Sequence, residues 1–350
     1  MTWARFVVRR RWAAAAGGLA ILAVLAGVAT DLQSGRPSLE ALSSGGPAAR
    51  ALATLERAGI GAGALTPVEL LSAGGRPVAD RERLAAIPSV RAVVSPDDAA
   101  WRRDGRDLAI AVLRDDAATG QGRAAVDALR HSDGDFAVGG PDAQERDLTD
   151  AIYAAFPVML VLITLATFVL LTWALGSILL PLKAITLNIL SVAAAFGIVV
   201  LVWQDGHGSE LIGGVPATET ITNWVPLAIF AFLYGLSMDY EVFILSRMRE
   251  EHDRTGSTDE AVVAGLGRTG RLVTSAALIL FLAFIALAAS PGTEIRILAT
   301  GLAAGILLDA TVVRGLLVPA VVSLLGKWNW WLPAPAARLL RVEPSPARSG

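Results

Sequence analysis

The chain is built from long apolar runs interrupted by one long polar stretch. Behind a cluster of arginines, Arg5, Arg9, Arg10 and Arg11, an apolar run extends from Trp12 to about Ala29. Residues Thr30 to Thr149 then carry dense Arg and Asp with many Gly and Pro, and no long apolar run. Five more apolar runs follow: Tyr153–Ala174, Leu182–Trp203, Trp224–Ser246, Leu272–Ser290 and Ile297 to about Val318. A helix rises about 1.5 Å per residue, so roughly 20 apolar residues cross the hydrocarbon of a bilayer. Six membrane-spanning helices are therefore expected. The first run also has the small residues Val28 and Ala29 of a signal-peptide cleavage site, but its apolar core is longer than a usual signal segment, and a retained helix is the expectation.

Within the polar stretch, Ala48–Ala58 and Arg123–Arg130 read as helices, and Val90–Val94, Leu108–Leu113 and Phe136–Val138 as short strands. This alternation predicts a small α/β or α+β module. Its charges, such as Asp97, Asp98, Asp115 and Asp116, are expected on a solvated surface. The resulting division is a first helix in 1–30, a soluble domain in 31–149, helices two to six in 150–326, and an interfacial anchor with a polar tail in 327–350. The tail is Pro-rich from about Val342 and is expected to be disordered.

Composition agrees with this class, since 54% of residues are hydrophobic and 18% charged. The net charge of -2 and the lack of a basic stripe interleaved with aromatics exclude a nucleic-acid partner. With no cysteine, disulfides, thiolate metal sites and cysteine nucleophiles are excluded as well. His131, His207 and His252 are far apart and in no metal-ligand spacing. No phosphate-binding loop of the G-x-x-x-x-G-K-[ST] type occurs, so neither ATP nor another cofactor is expected.

Orientation follows from the basic residues of short loops, which collect on the cytoplasmic side. Lys183, Arg247, Arg249, Arg254, Arg268, Arg271, Lys327, Arg338 and Arg341 fall on the side of the amino-terminal arginines, whereas 204–223 has Asp205, Glu210 and Glu219 but no Lys or Arg. Both termini are thus expected in the cytoplasm of a multi-pass cell-membrane protein, with the soluble domain outside. Trp328, Trp330 and Trp331 beside Lys327 are placed as an interfacial anchor usually is.

One stretch carries chemistry. GLSMDYEVFILSRMREE, residues 235–251, sets Asp239 and Tyr240 in an apolar run that ends at Arg247. Asp239 lies eight residues from that boundary, or about 12 Å inside the hydrocarbon. An acid at that depth costs on the order of 3 kcal/mol, so it faces a bundle interior, finds a partner or carries protons. A phenol close by can donate a hydrogen bond to the charged form, and low dielectric favours the neutral one, so the pair suits reversible protonation. Gly235, Asp239 and Phe243 recur at one helical turn and share a face. A structural role for Asp239, pairing with a neighbouring helix, fits the same residues. Glu241 lies nearer the cytoplasm, free to reach water or to pair with an arginine. Asp309 is a second acid at membrane depth. It either lines a polar bundle core, with Thr311 and Arg314 following, or balances Arg314 or Arg271 near the inner surface. Thr274 and Ser275 can extend a hydrogen-bond path or bond to their own helix carbonyls, and Ser237 precedes the acid in its motif.

Together with LLPLKAITLNILSVAAAFG at 179–197 and LLDATVVRGLLVPAVVSLLGKWNWWLP at 307–333, this stretch resembles the MMPL family, the actinobacterial MmpL lipid exporters of the resistance-nodulation-division superfamily. GGPDAQERD at 139–147 and EAVVAGLGRTGRLVTSAAL at 260–278 are weaker matches. The resemblance implies a polytopic α-helical fold with a porter-like extracytoplasmic domain between helices 1 and 2, and proton-driven export of lipids or other amphipathic molecules. It implies Asp239 and Tyr240 as a proton relay, with Ser237, Phe243, Thr274, Ser275 and Asp309 as neighbours or pore lining. Members carry two six-helix halves, and the motifs here match the second. Asp239 then needs a second copy or a separate half as its partner, unless the chain is a truncated, inactive relic. Two other readings stand beside export. One is a membrane-anchored partner that does not transport. The other is an intramembrane aspartyl protease using Asp239 and Asp309, against which neither acid has a GxGD setting.

Overall fold

The computed structural model describes residues 2–39, 46–72, 81–132 and 136–340, and the tail expected to be disordered from Val342 lies outside them. The chain forms two compact units. One comprises Met1–Leu32, Phe156–Leu201 and Trp224–Gly350, and the other Gln33–Ala155 and Val202–Asn223.

The first unit is helical. Among the described residues, six helices are long and apolar enough to cross a membrane: Arg11–Asp31, Pro141–Leu175, Leu179–Gln204, Trp224–Thr255, Thr258–Leu287 and Thr293–Trp330, called spans 1 to 6 below. The chain is a multi-pass membrane protein. Spans 3, 4 and 6 are the most buried, whereas spans 1, 2 and 5 expose most of their apolar surface, for example Val158, Val161, Leu162 and Leu165 on span 2. In lipid no hydrophobic effect drives helices together, so close contact depends on small residues. Gly301 and Gly305 form such a pair on span 6: a Cβ at Gly305 would lie 2.2 Å from Leu233 Cδ1 of span 4, and one at Gly301 2.6 Å from Ile229 Cδ1. Gly197 of span 3 meets the Leu25 carbonyl of span 1 so closely that a Cβ would lie 1.9 Å from it.

Span 6 is not uniform. Its α-helix runs to Leu308, becomes a π-helix over Asp309–Leu317 and resumes as α-helix over Val318–Leu325. One end of the bundle is tied by polar contacts. Arg11 donates to the Ser323 hydroxyl at 3.2 Å, Ser177 to the Asn329 carbonyl at 2.5 Å, and the Trp330 indole to Thr258 at 3.0 Å. The starts of spans 1, 3 and 5 and the end of span 6 therefore meet at the same level.

The second unit is an antiparallel sheet with strands β1 (Val68–Ser72), β2 (Val90–Val94), β3 (Arg102–Arg103), β4 (Arg106–Leu113) and β5 (Phe136–Gly139). Strand order is β2-β4-β1-β5, and β3 pairs with β4. Strict alternation along β4 buries Ala109, Ala111 and Leu113 against Val68, Leu70 and Val90, and against Ala125, Val126 and Leu129 of the helix Gly120–Arg130. Thr119 caps that helix by accepting from the Gly122 amide. The unit also takes in Val202–Asn223. There the Ile221 amide donates to the Gln33 carbonyl at 2.8 Å, and the Gly35 amide to the Ile221 carbonyl at 2.9 Å.

One expectation about surface charge is corrected here. Asp116 is buried and not solvated: it accepts from Arg36 at 2.7 Å and from the Leu39 amide at 2.6 Å, while Arg36 also bonds Asp142 at 3.0 Å. Burial pulls the Arg36 pKa down, but Asp116 and Asp142 outweigh it and hold the charge. Asp97 does stay exposed and pairs with Arg102.

Candidate functional site

Span 4 presents two interleaved sets of residues one helical turn apart. Ser237 and Glu241 point into the bundle and are buried, whereas Gly235, Asp239 and Phe243 are exposed. Asp239 has no hydrogen-bond or ion-pair partner among the described residues. A Cβ added at Gly235 would meet nothing within 4 Å, so this glycine is not a close-packing site within the chain. Phe243 lies under the Arg247 guanidinium, 5.7 Å from its ring centre.

The buried side gathers four charges. Ser237 donates to Asp309 Oδ1 at 3.0 Å, and Arg314 pairs with Asp309 Oδ2. Arg314 also reaches the Ser237 carbonyl at 3.3 Å and stacks over the Tyr240 ring at 4.9 Å. The π-helix makes the Asp309–Arg314 pair possible. In an α-helix residues five apart diverge by about 140° around the axis, whereas the wider turn returns them to one face. On the other side of Ser237, Lys183 Nζ of span 3 lies 3.6 Å from Glu241 Oε1, both side chains almost fully buried. The set balances two basic against two acidic side chains, as a low-dielectric interior demands.

A cavity of about 20 Å³ between spans 3, 4, 5 and 6 is lined by Asn188, Ser191, Ser237, Tyr240, Asp309 and Arg314 among others. That is space for about one water molecule. Among the described residues, Asn188 Oδ1, Lys183 Nζ, Glu241 Oε1, Tyr234 Oη and Arg314 Nε are buried without a hydrogen bond. The site therefore holds spare donors and acceptors around a space for one water. Among the described residues no group of three or more His, Cys, Asp or Glu could hold a metal.

Several sequence-based placements change. Lys183 is not an inner-surface charge but a buried partner of Glu241. Glu241 accordingly neither reaches water nor pairs with an arginine. Asp309 combines its two expected settings, since it lines the polar core and also balances Arg314. Arg271 is exposed and takes no part. Thr274 and Ser275 lie on the exposed surface of span 5 and do not join the buried cluster. The structure does not bring Asp239 and Asp309 into a dyad, because Asp309 is taken up by Ser237 and Arg314. Tyr240 is half-buried against Arg314.

The MMPL family model matches residues 68–345, which include all of these side chains. The chain belongs to the MMPL family. It is 35% identical to the heme uptake protein MmpL11 of Mycobacterium tuberculosis over 97% of this chain and 36% of that protein. Similarity to the mycolic acid-containing lipids exporter MmpL11 of Mycolicibacterium smegmatis is 34%, over 95% of this chain and 36% of the relative. The trehalose monomycolate exporter MmpL3 of Mycobacterium tuberculosis is 43% identical over 58% of this chain and 21% of its own length. The chain thus spans about a third of the length of the MmpL11 relatives.

Two residues of this buried cluster, Lys183 and Arg314, are not among the site residues that the sequence singles out. A signal existed for both. Each is a cation inside an apolar run, and Arg314 follows Asp309 on the same helix. Counting basic residues by loop, the usual route to topology, assigns Lys183 to the water instead.

Proposed function

We propose that this chain is one half of a proton-coupled exporter of lipids or other amphipathic molecules, driven by the proton-motive force across the cytoplasmic membrane. The observation that carries the reading is the carboxyl of Asp239, exposed at membrane depth and without a partner among the described residues. A carboxyl facing lipid costs on the order of 3 kcal/mol, so the face bearing Gly235, Asp239 and Phe243 calls for a covering surface. A second copy or a separate half supplies that surface, and Asp239 with Tyr240 forms the relay there. Behind them Arg314 touches Tyr240 and holds Asp309, so the charge state of the relay bears directly on the packing of span 6. The sheet unit, placed outside the membrane, is the porter-like part. Lipid as substrate rests on the exporters among the relatives, MmpL3 and the Mycolicibacterium MmpL11.

Proton flux and lipid export by the reconstituted chain test this reading. Asp239→Asn is expected to abolish both without lowering insertion or abundance. Undiminished export by that variant would remove Asp239 from the mechanism. A strict monomer with no proton-dependent flux would instead favour a membrane-anchored partner that does not transport.

A further inference from the structure

The amino-terminal helix, Thr2–Arg9, has no part in the site above, yet its residues are sorted sharply. Ala4 and Val7 are buried, and Val7 packs with Ala15 and Ala320. Trp3 and Phe6 are 53% and 50% exposed and stack on each other, with ring centres 5.7 Å apart. Arg5, Arg9 and Arg10 are exposed, and residues 2–30 contain no acid. Trp12 follows at 75% exposure. Arg5 and Arg9 border a cleft with Glu251, Asp259 and Glu260 but form no ion pair with them among the described residues. Glu251 is engaged by Arg254 and Arg268, and Asp259 accepts from Ser323.

The setting is the end of the bundle where Arg11 meets Ser323. Trp328 and Trp331, both half-exposed, follow Lys327 at the end of span 6, close to the same level. Exposed Trp beside Lys and Arg at the ends of spans is the arrangement of a membrane interface, where an indole or phenyl sits at headgroup depth and the cation meets phosphate. Trp3 has a second tie. Its indole N–H donates to the Gly315 carbonyl at 2.9 Å, inside the π-helix and next to Arg314.

We propose that the helix Thr2–Arg9 docks on anionic lipid headgroups, with Arg5, Arg9 and Arg10 on the phosphates and Trp3 and Phe6 at the headgroup boundary. The docked helix braces the π-helix of span 6 through Trp3. The acids of the neighbouring cleft leave Arg5, Arg9 and Arg10 unpaired among the described residues, and this fixes the occupant: an anionic lipid surface complements three free positive charges, and a second copy of the same basic helix does not. Each arginine near such a surface strengthens binding roughly fivefold.

The cysteine-free chain allows a test by single spin labels on the full-length protein. A nitroxide at Thr2→Cys is read for collision with oxygen and with a water-soluble nickel complex, in phosphatidylcholine vesicles with or without phosphatidylglycerol. The expected result is headgroup depth that increases with phosphatidylglycerol, the increase being lost at high salt and in Arg5→Gln/Arg9→Gln/Arg10→Gln. Equal water access in both vesicles overturns the proposal, as does protection from both reagents regardless of lipid, which would mean that protein covers the helix. A second label at the exposed Thr311→Cys reads the brace. Its mobility is expected to fall with phosphatidylglycerol and to stop responding in Trp3→Phe, which keeps the ring but loses the indole donor. An unchanged response in Trp3→Phe would overturn the brace. Neither readout depends on transport.

Discussion

Ser237 and Asp239 stand two residues apart on one helix and face opposite ways: the Ser237 hydroxyl donates to Asp309 in the bundle, while the Asp239 carboxylate lies on the outer surface. An α-helix turns about 100° per residue, so a step of two moves a side chain to the far side. Span 4 thereby separates an inner polar cluster, complete within the chain, from an outer acid that is not.

The outer face can be probed for a second copy directly. Phe243→Cys in the otherwise cysteine-free chain is expected to give cross-linked dimers in membranes, whereas a cysteine at Val161, 62% exposed on span 2, is not. Gel mobility under non-reducing conditions reads the outcome. Absence of dimers from Phe243→Cys would point to a separate half as the partner.

Gly235 and Gly197 should respond in opposite ways. Gly197→Ala drives a methyl into the Leu25 carbonyl, a backbone atom that cannot swing aside. A loss of about 1–3 kcal/mol or more is expected, seen as a lower melting temperature in detergent. Gly235→Leu meets open space, so the purified chain should melt normally, while export by the assembled transporter should fall sharply.

Lys183→Met leaves Glu241 buried and uncompensated, at a cost of about 3–5 kcal/mol. Lys183→Met/Glu241→Met is expected to recover most of that loss, because two apolar side chains of similar volume replace the pair. Denaturation of the four chains in a double-mutant cycle gives the coupling. A loss in the double variant equal to the sum of the two single losses would show that the two groups do not interact.

Arg314→Gln is expected to free Asp309 and unpin Tyr240 together. Because Asp309 would then be a buried acid without its cation, stability should fall by about 3–5 kcal/mol at neutral pH. Arg314→Lys keeps the charge but not the planar contact with the Tyr240 ring, so it should restore stability better than transport. Thermal melting and lipid export of the same preparations separate the two effects.

The six spans could be read from sequence because apolar length is a direct consequence of bilayer thickness. Asp239 stood out for the same reason, as an acid where acids are costly. Lys183 is less legible, because a cation at the start of an apolar run counts as a loop residue, and Arg314, a candidate partner of Asp309 in the sequence, gives no sign of the wider turn that joins them. Only the three-dimensional path decides, here through a π-helix that brings Asp309 and Arg314 together. Strand β1, VELLS, escaped notice since only Val68, Leu70 and Ser72 face inward and the outward positions are a mixture of Glu69 and Leu71. Val202–Asn223 has no periodicity that would assign it to the sheet unit. Its place there depends on backbone hydrogen bonds to Gln33 and Gly35, which side-chain pattern does not encode.

The π-helix of span 6 takes Asp309–Leu317 through a wider turn than the α-helix on either side. Rewinding Asp309–Leu317 as α-helix would rotate everything from Val318 onward against the part before Leu308, and would carry Arg314 off the face of Asp309. Span 6 is in that sense a shaft in two pieces, and the Asp309–Arg314 pair is the pin that stops one piece from turning on the other. Removing either charge of that pair would withdraw the pin and leave the two pieces free to turn.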